Sequence, residues 1–431
     1  EWPRVVGGAG NGETSVHGAR TAGLLKRELA SGDQVLLLAF GRQAAEEMDQ
    51  RVIKSTGESS ITARTFHSLA LHIIQQGSNK RPLISQLETD SDFRRQMLTD
   101  VWQQQCTEKK SYANGWRSWL QEELQWGLLP EQFWQDKTLV SQLSGRLERW
   151  VSLMRNHGGA QAAMIAEVPE EIRVLFGKRI RLMAPLLKAW KSQLKQEGAV
   201  DFAGLIQQAV ALLEKGRFIS PWKYIMADEF QDLSPQRAAL ITALRKQNKR
   251  SSLYATGDDW QAIYRFSGGE VNLTTGFHQQ FGEGDICILD TTYRFNQQIG
   301  HVANRFIQKN PRQMKKELNS LTKGSRKSVT LLEEDSLEAL LNKMSGYAGN
   351  DEKILILARY HYLRPSVLDK APTRWPKLSL SFMTFHASKG GEADYVIVLG
   401  LNNGINGFPA AERESVIEQG LLPVAGDFPT A

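Results

Sequence analysis

The sequence predicts an α/β protein: two units with parallel sheets, the first carrying a helical insertion. Three observations lead there. Short, continuous apolar runs alternate with helix-length amphipathic stretches near both ends of the chain. A glycine-rich loop stands between the first apolar run and the first helical stretch. Strand signals fade between about residues 72 and 200, where helical periodicity takes over.

Taken in order, Val5-Val6 close a first strand and the glycine loop follows. A helix then carries Val16, Ala19, Leu24, Leu25 and Leu29, with Gly32 expected to stop it. Val35 to Phe40 is a buried parallel strand, Gln43 to Lys54 a second helix, and Ile61 to Thr65 a third strand. Seven of the eleven tryptophans (Trp102, Trp116, Trp119, Trp126, Trp134, Trp150 and Trp190) fall in the helical stretch. Their spacing suits helix–helix packing better than base stacking. Strands return at Trp222 to Ala227 and Leu253 to Thr256, then at Val329 to Leu332, Lys353 to Leu357, Leu380 to Thr384 and Tyr395 to Leu399. The expected division is a first α/β unit at 1–71 and 201–275, an insertion at 72–200, and a second α/β unit at 276–431.

Composition narrows the function. With 431 residues the chain exceeds one compact core, and 41% hydrophobic with 23% charged residues is ordinary for a globular protein. No apolar run approaches membrane-spanning length, so a membrane partner is not expected. The chain begins Glu1-Trp2-Pro3 without a methionine and reads as a fragment. Two distant cysteines, Cys106 and Cys287, suit a reducing, cytoplasmic setting and exclude a disulfide scaffold. The net charge of +6 leans weakly towards a polyanionic partner.

The chemistry-bearing segments are sharper. Gly7-Gly8-Ala9-Gly10-Asn11-Gly12-Glu13-Thr14 has the Gly-x4-Gly spacing of a phosphate-cradling loop and a hydroxyl suited to Mg²⁺. Glu13 stands where such loops carry lysine. Asp228-Glu229-Phe230-Gln231-Asp232 directly follows a strand, where one carboxylate can reach a metal and the next can deprotonate water. An acidic, solvated turn is the plainer reading of that segment taken alone. In Gly257-Asp258-Asp259-Trp260-Gln261-Ala262-Ile263-Tyr264-Arg265-Phe266, Gln261 is a neutral amide able to bond phosphate and water. Tyr264 and Phe266 are placed to stack on bases or to pack a domain junction.

These segments, with Ala39 to Met48, Thr65-Phe66-His67-Ser68, Thr292-Tyr293-Arg294-Phe295-Asn296 and Met383 to Glu392, occur in an order that resembles the UvrD/Rep-type superfamily-one DNA helicases. The likeness covers nearly the whole chain. It implies two RecA-like P-loop NTPase domains, ATP and Mg²⁺ as cofactors, and ATP-driven 3′–5′ movement on single-stranded DNA and at duplex junctions. By the same resemblance, Gly7, Gly10, Gly12, Glu13 and Thr14 surround the phosphates, and Thr14 and Asp228 hold Mg²⁺. Glu229 is the base and Gln261 senses the γ-phosphate. Arg20, Tyr293 and Glu392 contact the nucleotide, and Arg294 is the arginine finger. ATP would then lie between the α/β units. DNA contacts fall to Phe40, Phe66, His67, Tyr264, Phe266 and His386, with a structural role for either histidine as the alternative.

The sequence also departs from the family. At about 4 Å and an effective dielectric near 20, one charge pair is worth roughly 4 kcal/mol. Exchanging attraction for repulsion at Glu13 is therefore expected to slow hydrolysis by about a thousandfold or more. The family's final arginine motif and the adenine-reading glutamine segment are absent from this chain, and Ser267 replaces a common arginine. The span from Asn296 to Met383 leaves little room for the second insertion that relatives often carry. The rival reading is a non-hydrolysing remnant that binds single-stranded nucleic acid.

Overall fold

The structure is a computed structural model. It describes residues 4–7, 13–58, 61–248, 250–310, 313–324, 327–333, 336–349, 351–404, 407–408 and 414–423, with the backbone alone for 4–7 and 13–15. Two compact units result: Glu1–Thr292 with Asn304–Asn319 and Glu414–Ala431, and Tyr293–Ala303 with Ser320–Arg413.

The first unit is built on a six-stranded sheet. Its strands are β1 (Arg4–Gly7), β2 (Val35–Ala39), β3 (Ala63–Thr65), β4 (Tyr224–Ala227), β5 (Ser252–Gly257) and β6 (Ile286–Leu289). They lie in the order β3-β2-β4-β5-β1-β6, and every pairing is parallel. Helices α1 (Glu13–Lys26), α2 (Arg42–Thr56) and α3 (Phe66–Ser78) follow the first three strands. The continuous Val35 to Ala39 run is buried throughout because helices cover both sheet faces. α1 ends at Lys26, short of the expected Gly32, where Glu28 turns left-handed and Leu29 is exposed. The sheet also continues through β6, which pairs with β1 beyond the break expected at residue 275.

The insertion contains α4 (Ser91–Glu108), α5 (Lys110–Ser118), α6 (Lys137–His157) and α7 (Glu170–Glu197). Trp102, Trp116, Trp119, Trp150 and Trp190 are all buried in its core. Trp119 stacks on Trp116 and on Trp150 at centroid separations of 4.7 and 4.5 Å, and those two indoles also meet each other at 6.3 Å. This placement bears out the packing role read from their spacing. At the exit, Asp201 caps α8 (Phe202–Glu214) through the Gly204 N–H. It also takes two bonds from Arg155, at 2.7 and 2.9 Å, and one from the Trp190 indole at 2.8 Å. After α9 (Pro235–Gln247), a late helix, α10 (Val416–Leu421), returns to the insertion, where Val416 and Ile417 are buried.

The second unit holds a parallel three-stranded sheet of β7 (Lys353–Ala358), β8 (Ser379–Thr384) and β9 (Tyr395–Val398), in the order β8-β7-β9. Leu341, Ile356, Leu368, Ala371 and Trp375 form its core. Val329 to Leu332, expected as a strand, is irregular coil instead. Val329, Leu331 and Leu332 are all exposed, so no buried face favours pairing there. Among the described residues, no helix is long and apolar enough to cross a membrane.

Candidate functional site

Because the first sheet is wholly parallel, the loops after β1, β4 and β5 emerge at one edge, where α/β sheets characteristically bind ligands. Gly7 ends β1, and the backbone of Glu13 and Thr14 opens α1. Gly10 and Gly12 lie outside the described residues, as do the side chains of Glu13 and Thr14.

At the tip of β4 the chain turns sharply, with Glu229 at φ 50°, a left-handed conformation costly for any residue but glycine. Asp228, just before it, is buried. Its Oδ1 accepts hydrogen bonds from the Thr256 hydroxyl at 2.6 Å and the Glu229 N–H at 2.9 Å. His17 Nε2 lies 3.7 Å from the same oxygen and 2.7 Å from Thr256 Oγ1. Since the hydroxyl proton of Thr256 goes to Asp228, the imidazole is the donor in the His17–Thr256 bond. Burial raises the Asp228 pKa, but His17, Thr256 and the Glu229 N–H outweigh it and hold the carboxyl at about 2. The group is ionised at neutral pH, as a hard-cation ligand must be.

Glu229 and Gln261 belong to one hydrogen-bonded chain. Gln231 donates to Glu229 Oε2 at 2.6 Å and accepts the Asp258 N–H at 3.0 Å. Gln261 Nε2 donates to Asp258 Oδ2 at 2.8 Å. Gly257 is required here, because a Cβ would sit 2.5 Å from Gln231 Oε1. Lys316 anchors the end of the chain, paired with Asp258 and, at 2.8 Å, with Asp259. The Arg20 guanidinium lies over the Tyr254 ring, 4.7 Å from its centroid.

In the second unit Tyr293 is exposed, and Arg294 Nε lies 2.8 Å from Glu392 Oε1. Two residues expected to meet nucleotide are thus partners of each other. His386 follows β8 in the same unit.

The aromatic residues of the first unit also gather. Phe40 stacks on Tyr264 with centroids 5.7 Å apart and planes at 14°, and Phe266 lies 6.0 Å from Tyr264. Arg237, opening α9, places its guanidinium 4.3 Å from the Phe40 centroid and 5.7 Å from that of Phe66. Phe66 is only 3% exposed and belongs to the core, whereas Phe266 is 42% exposed. His67 packs on Phe202 at 4.6 Å. Burial, and secondarily the charge of Arg237, lower its pKa from 6.5 to about 4.

Sequence reasoning passed over His17, Gln231, Arg237, Thr256 and Lys316. His17 had a readable signal: it follows Thr14 by three residues, which sets both on one face of α1. Lys316 had none, being 58 residues from Asp258 in an unremarkable basic stretch.

Residues 3–282 match the UvrD/REP helicase N-terminal domain. The chain belongs to the UvrD/REP helicase family. It is 64% identical over 427 residues to DNA helicase IV of Escherichia coli (strain K12), covering 99% of this chain and 62% of that protein. ATP-dependent DNA helicase PcrA of Staphylococcus epidermidis (strain RP62A) is 23% identical over 360 residues, 81% of this chain and 44% of the relative. PcrA of Staphylococcus aureus (strain Mu50) matches to the same extent. The chain therefore spans less than two thirds of the length of these relatives.

Proposed function

We propose that this chain is the motor portion of an ATP-dependent DNA helicase, moving 3′ to 5′ on single-stranded DNA and opening duplex junctions. One observation carries the reading: Asp228, Glu229 and Gln261 meet at the sheet edge from which the loop after β1 also emerges. The names of the relatives support it.

In this reading Asp228 and Thr14 hold Mg²⁺, which neutralises phosphate charge when bound. The ionised, buried carboxylate of Asp228 fits that ligand. Glu229 accepts a proton from the attacking water, and Gln261 orients that water. Arg20, Tyr293, Arg294 and Glu392, with the backbone of Gly7, Gly10 and Gly12, serve the nucleotide. Phe40, Tyr264 and Phe266 stack on bases, Phe66 and Arg237 support them from below, and His67 and His386 complete the DNA contacts. With its pKa near 4, His67 acts as a neutral group, contributing surface and hydrogen bonding.

Glu13 slows hydrolysis by placing negative charge against the phosphates. It also favours a second reading, a chain that binds single-stranded DNA without turning over ATP. Anisotropy of a labelled oligonucleotide, read beside ATP turnover, separates the two. DNA binding with turnover restored by Glu13→Lys supports a slowed motor, and binding that never couples to turnover supports the remnant. Absence of single-stranded DNA binding in every form refutes both.

A further inference from the structure

We infer that Lys316 is a positioning residue for Gln261, acting through Asp258; the inference rests on the catalytic role proposed above for Gln261. Lys316 is 7% exposed, and its ammonium is bound to both Asp258 and Asp259. The segment that carries it is fastened to the same turn twice more. The Met314 N–H donates to Asp259 Oδ2 at 2.8 Å, and the Trp260 indole donates to the Met314 carbonyl at 3.1 Å. The Trp260 ring also lies 4.9 Å from the ammonium.

The arrangement has a directional consequence. Asp258 Oδ1 takes the Trp260 N–H, at 3.1 Å, together with the ammonium, and Oδ2 takes Gln261 Nε2. An ionised carboxylate only accepts hydrogen bonds, so the Gln261 amide must turn its NH₂ inward and its carbonyl oxygen away. That leaves Oε1 as an acceptor for a water proton, the contact that orienting a nucleophile requires. Burial, with the neighbouring Asp259, raises the Asp258 pKa against the pull of Lys316, so removing the ammonium favours the protonated Asp258 carboxyl. A protonated Asp258 can donate, and the direction of the Gln261 amide is then no longer fixed. A residue 55 positions away in sequence from Gln261 would thus set which end of its side chain meets the water.

A purely structural staple would also bury this lysine, so the test reads the amide itself. The chain is labelled with ¹⁵N in its glutamine side chains, and the Gln261 pair is assigned by its loss in Gln261→Ala. Lys316→Met is expected to shift that pair and speed its exchange with water, while Lys316→Arg keeps both near their original values. An unchanged Gln261 signal in Lys316→Met overturns the inference. Should Lys316→Met not fold, Lys316→Gln, which keeps a donor without the charge, is read in the same way.

A kinetic arm uses the Glu13→Lys form. There Lys316→Met is expected to lower kcat about tenfold, within the range that small misplacements produce, with KM for ATP within about twofold. Added to Gln261→Ala, it should cost nothing further. An equal loss in both backgrounds shows a role independent of Gln261 and refutes the proposal. If Glu13→Lys turns over no ATP, the proposed function fails, while the amide signal still decides whether Lys316 fixes Gln261.

Discussion

Replacing His67 with glutamine should flatten part of the pH dependence of stability. His67 is held neutral by burial and by Arg237, with its pKa lowered from 6.5 to about 4. The unfolded chain therefore binds a proton in a range where the folded chain does not. Stability is full above the unfolded value of 6.5, falls as pH drops from 6.5 towards 4, and loses nothing more below. At about 1.36 kcal/mol per pKa unit, the whole interval is worth about 3 kcal/mol, of which about 2.5 is lost by pH near 4.5. The assay is urea unfolding of the chain and of His67→Gln at several pH values between about 7.5 and 4.5. Carboxylates titrate in both proteins and cancel in the difference. The stability gap should change by about 2.5 kcal/mol across that range. A change below about 1 kcal/mol would refute it, because His67 would then be free to protonate in the fold.

Other positions give independent tests. Asp201→Ala strands Arg155 beside a vacated partner and releases the Trp190 indole, at a cost of about 3–5 kcal/mol measurable by urea unfolding. Arg155, the Gly204 N–H and Trp190 outweigh burial and hold the Asp201 pKa below the ordinary carboxylate range. Its contribution is thus present above that range and is lost as pH falls through the lower folded value. Trp119→Ala opens a cavity beside the Trp116 and Trp150 indoles and should cost about 3–5 kcal/mol, without altering DNA affinity in a chain kept folded. Phe266→Ala should do the reverse. It should weaken single-stranded DNA binding by about 1–3 kcal/mol, read by anisotropy, and leave the melting transition in place.

Much of the first unit was legible because β2, β4 and β5 are short, largely apolar runs that end at, or within two residues of, a glycine or an aspartate. Val35 to Ala39 could be read directly, since both faces of a parallel strand are buried. Val329 to Leu332 has a similar composition and misled for a physical reason: apolar content does not make a strand without a partner and a face to cover. The order of segments marked Asp228, Glu229 and Gln261. The connections between them were illegible, because Gln231, Thr256 and Lys316 act through contacts that close only in the folded chain. Phe66 shows the opposite limit. A motif position marks where a residue sits, but only packing reveals that Phe66 is turned into the core while Phe266 faces outward.

In our proposal this chain carries the catalytic groups Asp228, Glu229, Gln261 and Arg294, and the charge of Glu13 in the phosphate loop is what slows them. Steady-state ATP turnover with saturating single-stranded DNA, measured side by side on this chain and on Glu13→Lys, decides it. Restoring lysine should raise turnover by about a thousandfold or more. Turnover by the Glu13 form within about tenfold of the Lys form, or no turnover by either, would contradict it.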